Sequence, residues 1–283
     1  MPMNLINNEN LFLILLAVVW IIGAILQDIK RREVDNIWNF SLIAFALAYR
    51  FSLSIFNGNY MFFLNGIVGL IIFLFLGNLF YYGRLFAGGD AKLLIALGSI
   101  LPLSYEWIIN FKIFLVFISG FLFGGSIYVF LWSIVLVFLN FEKFSREYKK
   151  QSMSYKNYFI YSFIFVLILS FLFYFINKIL IFSALVFLLF PFLFIFARAI
   201  EEVCMIKKVS VDKLTVGDWL YEDLYVKGKK IEKNWEGLSY EDLKLIQKKY
   251  NRKVLVKYGI PFTPSFLIGF FLILYLSSKG IFL

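Results

Sequence analysis

Residues 85–102, LFAGGDAKLLIALGSILP, place an acid after two glycines and directly before an apolar helical run. A carboxylate in so apolar a setting costs about 2.5 to 3.5 kcal/mol to insert into a bilayer, so Asp90 needs a structural or chemical reason. A second acid, Asp28, closes the apolar run WIIGAILQD at residues 20–28. These two acids, each at the end of an apolar run, are the candidate functional residues of the chain.

The composition indicates a membrane protein with several spans. Of the 283 residues, 61% are hydrophobic and 21% are aromatic, which is far too apolar for a soluble domain. The chain has no histidine, and this excludes Ser/His/Asp catalysis and HExxH zinc sites. Its single cysteine, Cys204, is predicted to be an inert thiol, because no second cysteine exists for a disulfide or a zinc-binding pair.

Eight apolar runs approach the length of about 20 residues that a transmembrane helix needs. They occupy residues 10–28, 37–56, 60–82, 91–106, 108–141, 158–177, 179–198 and 262–278. The first run is predicted to be a retained span, since no small-x-small cleavage site follows it. The basic turn DIKRREVDN, residues 28–36, is predicted to be cytoplasmic, which places the N-terminus outside. All 28 Lys and Arg except Arg50, Lys112, Lys178 and Lys279 then lie on the cytoplasmic side, so topology and not nucleic-acid binding explains the net charge of +10.

The fourth run is unusually short. Residues 91–101 rise only about 16 Å as a helix before Pro102 interrupts them. A re-entrant hairpin is disfavoured, because it would move the basic segment 142–157 to the outer side. We predict a short crossing helix, whose small residues allow close packing and leave room for water on the cytoplasmic side.

Residues 199–261 have mixed charge and contain no spanning run. Alternating residues around the TVGD and VKGKK turns predict short strands, SYEDLKLIQKKY predicts a helix capped by Ser239, and RKVLVKYGIPF predicts a strand that leads into the last span. The sequence therefore predicts an all-α polytopic membrane protein with about eight transmembrane helices, its N-terminus outside, and a small α+β cytoplasmic domain near the C-terminus. The predicted division is membrane helices with both acids at 1–141, a basic cytoplasmic loop at 142–157, a transmembrane hairpin at 158–198, the small cytoplasmic domain at 199–261 and the last transmembrane helix at 262–283.

Each acid has a purely structural explanation, with Asp90 as a helix cap and Asp28 as the first residue of a polar loop. By the predicted topology, however, both acids lie at the same depth on the cytoplasmic side. Two close carboxylates cannot both ionise easily, so one keeps a proton while the other stays charged, which supplies an acid and a base for hydrolysis. Because the helix dipole favours charge at a helix start, the sequence-based hypothesis assigns Asp90 as the base and Asp28 as the acid.

The neighbours of Asp90 are candidate supporting residues. Gly88 and Gly89 permit positive φ and the close approach of a substrate strand, or they form a tight turn. Lys92 either tunes the pair of acids or extends to a lipid phosphate.

Two segments resemble a known family. AGGDAK at residues 87–92, followed by LLIALGSILP, resembles the GxGDxK signature of type IV prepilin peptidases, which are GxGD aspartyl proteases. QDIKRREVDNIWN at residues 27–39 resembles the basic turn that carries their first aspartate. The late polar domain and the lack of a zinc-binding cysteine domain are more like the archaeal prepilin and preflagellin (archaellin) peptidases. The resemblance is strong over 20–103 and weaker over 205–270, and Ala87 stands where the signature has its first glycine.

The resemblance implies a membrane-embedded aspartic endopeptidase that needs no metal and no cofactor. The two catalytic aspartates of the family carry over onto Asp28 and Asp90, and Gly88, Gly89 and Lys92 fall within or beside the motif. Such enzymes remove short, basic leader peptides from pilin-like or archaellin precursors at the cytoplasmic face of the cell membrane. The implied partners are these substrate proteins and membrane lipids.

Two other functions use the same acids. A presenilin-like intramembrane protease shares a Gly-Asp motif, but no PAL motif stands near the C-terminal span. A cation-coupled transporter would bind its ion near the membrane midplane, whereas both acids lie at helix ends beside basic turns. The sequence does not assign the particular substrate, the leader-recognition residues, the oligomeric state or the role of residues 199–261.

Overall fold

The computed structural model describes residues 5–281 and is mostly helical. The outermost residues of the predicted ranges 1–141 and 262–283 lie outside the described residues. The helices are α1 (Asn8–Arg31), α2 (Asn36–Phe56), α3 (Met61–Tyr82), α4 (Gly88–Gly98), α5 (Trp107–Leu139), α6 (Phe141–Ser154), α7 (Lys156–Ile176), α8 (Leu180–Leu185), α9 (Leu189–Ile200), α10 (Tyr240–Lys249) and α11 (Pro264–Ser278). The strands are β1 (Ile206–Val209), β2 (Trp219–Leu220), β3 (Leu224–Val226), β4 (Lys229–Ile231) and β5 (Val254–Lys257).

Within residues 5–281, six helical segments are long and apolar enough to cross a membrane. They are α1, α2, α3, α5, α7 and the continuous segment Leu180–Met205, which contains α8 and α9. The prediction of a mostly helical chain with several spanning helices and a small region of strands is therefore confirmed. The remaining two of the eight predicted runs form the shorter helices α4, with 11 residues, and α11, with 15 residues.

The chain divides into two compact units, of which the first comprises residues 1–130 and 260–283. Hydrogen bonds mark one end of this unit, which we call the Asp28 end. There Asp28, in the last turn of α1, accepts a hydrogen bond from the Thr263 hydroxyl at the start of α11. Lys92, near the start of α4, donates to the Asn36 side chain at the start of α2 over 2.6 Å.

A second set of hydrogen bonds marks the opposite end of the same unit, which we call the Glu9 end. The Glu9 carboxylate accepts bonds of 3.0 Å from the side chains of Asn57, just after α2, and Tyr105, seven residues after α4. The Leu5 N–H donates to the hydroxyl of Ser277, in the last turn of α11. The helices α1, α2 and α11, and the chain from α4 to Tyr105, therefore all run from one end of the unit to the other.

The chain from α4 to Tyr105 differs from the predicted short crossing helix, because its helix ends at Gly98 and residues 99–106 are irregular. Buried Arg50 donates to the carbonyl oxygens of Ser99 at 2.8 Å, Ile100 at 2.9 Å and Pro102 at 2.7 Å. Irregular backbone at membrane depth is tolerated only where its polar groups find such partners within the protein.

Two buried asparagines donate to further carbonyl oxygens of the irregular segment, nearer the Glu9 end. Asn10, in α1, donates to the Leu103 carbonyl oxygen over 2.7 Å, and Asn65, in α3, donates to the Ser104 carbonyl oxygen over 3.0 Å. Both asparagines are 1% exposed. Side chains from three helices thus replace the helical hydrogen bonds that the irregular segment lacks.

Close helix packing holds α4 in the centre of the first unit. Its Leu93, Leu94 and Leu97 are fully buried in the main apolar cluster. A side chain on Gly69 of α3 would overlap the carbonyl oxygen of Gly98, so the two backbones meet only because both positions are glycine.

The second unit, residues 131–259, contains a helix where the sequence predicts a basic loop at 142–157. This correction has a local cause, because the segment is rich in good helix formers and carries i,i+3 and i,i+4 pairs. Glu147 accepts bonds from Lys150 and Gln151. Phe144, one turn before Glu147, is buried against Phe196 of α9.

The strands of the second unit form a three-stranded antiparallel sheet in the order β1-β5-β2 and a separate hairpin of β3 and β4. The hairpin turns through Lys227 and Gly228, both with positive φ, as a two-residue turn requires for the native strand twist. Ser239 caps α10 by accepting a bond from the Asp242 N–H, which confirms the predicted helix start.

Candidate active site

Asp28 lies on a helix, one turn before its end. The helix α1 continues through Arg31 and stops at Arg32, which adopts the left-handed conformation with φ 60° and donates its N–H to the Asp28 carbonyl oxygen. The alternative of Asp28 as the first residue of a polar loop is therefore wrong. Its side chain is half-buried, held by helical backbone on a rigid element.

Asp90 is the third residue of α4, and its carboxylate accepts a hydrogen bond from the Ala87 N–H. Ala87 is the residue that precedes the helix, so this bond is the acidic half of a capping box. The predicted capping role of Asp90 is thus compatible with the structure, and the cap fixes where the carboxylate lies. Asp90 is also half-buried.

The structure brings the two acids together at the Asp28 end. The carboxylates of Asp28 and Asp90 are close enough to interact electrostatically, although 61 intervening residues include all of α2 and α3. Such a pair favours one proton shared between two carboxyl groups. Hydrolysis by acid and base is therefore chemically within reach of this site.

Thr263 is a residue that sequence reasoning missed. Its hydroxyl donates to Asp28 Oδ2 over 2.9 Å, and its backbone N–H lies 3.4 Å from the same oxygen. Thr263 also directly precedes α11, whose positive dipole end faces the carboxylate. The pair Thr263-Pro264 is a typical helix-start signal, but nothing in the sequence shows which acid that helix start meets.

These contacts change the assignment of acid and base. The sequence-based hypothesis places the charge on Asp90 because Asp90 opens α4, whereas Asp28 lies near the negative end of α1. The structure adds two donors and the start of α11 at Asp28, and donors to the charged form of a carboxylate stabilise that form. The geometry therefore favours Asp28 as the charged partner and Asp90 as the protonated one.

Tyr128, in α5, is a second residue that the sequence did not single out. Its phenol interacts electrostatically with Asp28 and with Arg32. It is one of 17 tyrosines, and no local pattern distinguishes it from those expected at membrane interfaces.

The predicted supporting residues take simpler roles than expected. Gly88 and Gly89 open α4, and neither uses the positive φ that a glycine permits. A Cβ on Gly89 would lie 3.4 Å from the Val34 backbone nitrogen, which is ordinary van der Waals contact, so the packing of the basic turn against α4 does not itself require a glycine there. Lys92 is exposed and donates to Asn36 rather than extending freely.

Comparison with known proteins identifies the part of the chain that carries the acids. Residues 14–141 match the type IV leader peptidase family, and this range includes Asp28 and Asp90. Residues 14–141 therefore have the sequence pattern of a type IV leader peptidase family domain. The resemblance seen in the sequence is thereby confirmed for this part of the chain.

The leader peptidase domain also resembles curated archaeal proteins. The chain is 34% identical to a preflagellin peptidase of Methanocaldococcus jannaschii over 89 residues, which cover 29% of this chain and 38% of that protein. It is 35% identical to a preflagellin peptidase of Methanococcus maripaludis over 92 residues, which cover 30% of this chain and 39% of that protein. The chain thus spans about two fifths of the length of the curated relatives it matches. No solved structure matches it.

Thr263 lies outside the matched range of the leader peptidase domain. The residue that donates two hydrogen bonds to Asp28 therefore lies directly before α11, which contacts α1 within the first unit. Among the described residues, no group of three or more His, Cys, Asp or Glu side chains is placed to hold a metal ion.

Proposed function

We propose that this protein is a membrane-embedded aspartic endopeptidase that removes the short leader peptide of type IV pilin-like or archaellin precursors. The observation that carries the proposal is the meeting of Asp28 and Asp90 inside a type IV leader peptidase family domain. The two relatives named preflagellin peptidases support a precursor of the archaellin type.

The proposed chemistry uses the two acids in turn. Charged Asp28 takes a proton from the attacking water, while protonated Asp90 transfers its proton to the carbonyl oxygen of the scissile peptide, which becomes a hydroxyl of the tetrahedral intermediate. When the tetrahedral intermediate collapses, Asp28 returns the proton to the leaving amine and Asp90 recovers its own. Neither step requires a metal ion or a cofactor.

The proposed membrane placement makes the Asp28 end cytoplasmic and the N-terminus external. This places the basic turn at Lys30, Arg31 and Arg32 on the cytoplasmic side, as the distribution of positive charge favours. We include α4 with the following irregular segment, and α11, as crossings, because each reaches from the Asp28 end to the Glu9 end. With the six longer segments this gives eight crossings of the cell membrane.

This placement suits a substrate with a polar leader followed by an apolar helix. The apolar helix would lie in the bilayer, and the junction with the leader would then reach the depth of Asp28 and Asp90. Membrane lipids surround the same region, and the basic turn lies at the level of their head groups.

The test is cleavage of tagged archaellin and pilin precursors, co-expressed with the wild type or with a variant that reaches the membrane in equal amount. We expect Asp28→Asn and Asp90→Asn each to lower cleavage at least about 100-fold, because a positioned acid or base contributes about 10² to 10⁴ in rate. Asp35→Asn is the matched control, because Asp35 is an exposed acid of the basic turn that pairs with Arg31.

Three results would count against the proposal. Cleavage by either Asn variant at the wild-type rate would remove that acid from the chemistry. Equal loss in Asp35→Asn would assign the effect to the charge of the turn. Failure of the wild type to cut any precursor of either class would refute the leader peptidase activity.

A further inference from the structure

We propose that Thr263 is a positioning residue for Asp28, which orients the carboxylate and holds it in its charged form from the start of α11. This inference rests on the proposed function, because it assigns Thr263 a role in the same hydrolysis. It goes beyond the leader peptidase domain, since Thr263 lies more than 100 residues after the end of that domain.

The hydrogen bonds show a directed contact between two distant parts of the chain. The Thr263 hydroxyl donates to Asp28 Oδ2 over 2.9 Å, and the Thr263 N–H supplies a second, longer contact to the same oxygen. Thr263 is fully buried, so water does not compete for its hydroxyl. A hydrogen bond from a buried donor to a charged acceptor is among the stronger kinds in proteins.

The hydroxyl does not serve its own helix. A threonine directly before a helix usually accepts a bond from a backbone N–H of the first turn. Thr263 makes no such capping bond, and its side chain is directed to Asp28 instead. Ser265, two residues later, shows the local alternative, because its hydroxyl bonds back to the Phe262 carbonyl oxygen over 2.6 Å.

The two oxygens of the Asp28 carboxylate have different hydrogen-bond partners. Both contacts from Thr263 go to Oδ2, while in the described part of the chain Oδ1 accepts no hydrogen bond. Oδ1 is thus the oxygen left to take a proton from water. Thr263 would thereby fix the rotamer of Asp28 and stabilise the charged form of its carboxylate.

Three variants separate positioning from a structural role. Thr263→Val removes the hydroxyl and keeps the branched shape, Thr263→Ser keeps the hydroxyl, and Ser265→Ala removes a buried hydroxyl of the same turn that does not touch Asp28. All are tested as full-length protein in membranes, with the amount of inserted protein measured for each.

The first readout is the rate of precursor cleavage as a function of pH. For Thr263→Val we expect kcat to fall about 10- to 100-fold, the loss that a hydrogen bond to a charged group produces. The acidic limb of the profile should also move to higher pH, because removing a donor disfavours the charged carboxylate. Thr263→Ser should restore both the rate and the limb, and Ser265→Ala should leave both unchanged.

The second readout does not depend on cleavage. Dicyclohexylcarbodiimide reacts with protonated carboxyl groups, and mass spectrometry measures how much Asp28 it modifies at each pH. We expect Thr263→Val to extend the modification of Asp28 to higher pH than in the wild type, in Thr263→Ser or in Ser265→Ala.

These readouts distinguish the two proposals. If the wild type cuts no precursor, the leader peptidase function fails, while the carbodiimide result still decides whether Thr263 holds Asp28 in its charged form. If Thr263→Val matches the wild type in both readouts, or if Thr263→Ser behaves like Thr263→Val, the role of Thr263 is refuted. Equal changes in Thr263→Val and Ser265→Ala would also refute it, since they would indicate a general disturbance of α11.

Discussion

At the scale of single residues, Arg50 carries a full charge into the interior of the first unit. It is fully buried, and its hydrogen bonds in the described part of the chain go to carbonyl oxygens. Its guanidinium also lies 4.5 Å from the centre of the Phe62 ring, where a cation is attracted by the aromatic face. Arg50 therefore compensates the carbonyl ends that α4 and its irregular extension leave without helical partners.

We expect Arg50→Met to lower the free energy of unfolding by about 3 kcal/mol or more. The substitution leaves several buried carbonyl oxygens without donors, and each unsatisfied group costs about 1 to 3 kcal/mol. The measurement is unfolding in detergent, followed by circular dichroism. Arg31→Met is the matched control, because Arg31 is half-exposed and its surface pair with Asp35 contributes about 0 to 1 kcal/mol. Equal stability of the two variants would show that Arg50 does not hold the irregular segment.

The sequence marks some of these residues and not others, for physical reasons. Asp28 and Asp90 stand out because a charge in an apolar run is costly and therefore informative. Arg50 is equally costly, but its position near the end of an apolar run is explained as well by a head-group contact. Thr263 carries no charge, and its meaning depends on a contact with a residue 235 positions away.

At the scale of elements, α4 is the helix on which the site depends. It carries Asp90 in its first turn and is enclosed by α1, α2 and α3 over the rest of its length. Two glycines of α3 face it closely. A Cβ on Gly69 would overlap the Gly98 carbonyl oxygen and the Pro102 ring, and one on Gly77 would lie 2.5 Å from Ile95 Cγ1. Close packing against α3 therefore sets the position of Asp90 along and across the bundle.

We expect Gly69→Ala to destabilise the protein by about 1 to 3 kcal/mol, the usual cost of overpacking, and to lower precursor cleavage. The added methyl group meets backbone at Gly98, which cannot rotate away, so α4 must shift and carry Asp90 with it. Unfolding in detergent and cleavage in membranes measure the two effects. Gly259→Ala is the control, because a Cβ there meets nothing within 4 Å. A Gly69→Ala protein with unchanged stability and activity would contradict this account of the packing.

The sequence predicts the existence of the helices better than their ends. A long apolar run in a bilayer satisfies its backbone hydrogen bonds only as a helix. The helices α1, α2, α3 and α7 therefore lie close to their predicted ranges. The run at 91–106 breaks after Gly98, because side chains of α1, α2 and α3 supply the donors that make an irregular backbone tolerable there. Those donors come from other elements, and a local pattern does not contain them.

At the scale of the whole molecule, the first unit has the two acids at its Asp28 end and a second set of polar hydrogen bonds at its Glu9 end. The Asp28 end gathers the start of α2, α4 and α11 around the end of α1. At the Glu9 end lie the opposite termini of α1, α2 and α11, together with Tyr105 of the irregular segment that follows α4. A chain segment that touches both ends must cross whatever layer lies between them, even where its helix has only 11 residues.

This geometry predicts which positions face each side of the membrane. Cys204 is the chain's single cysteine, so a Cys204→Ser background gives a protein without thiols for single-cysteine labelling. We expect Glu33→Cys, in the basic turn, to react with an impermeant maleimide only after the cells are permeabilised. Asn59→Cys and Glu106→Cys should react in intact cells, because both positions are exposed near the Glu9 end.

Glu106 is the decisive position, since it tests whether residues 90–105 cross as a helix plus an irregular segment. Labelling of Glu106→Cys together with Glu33→Cys would instead make α4 a re-entrant element and reverse every later crossing, which would put the basic helix α6 outside against the charge distribution.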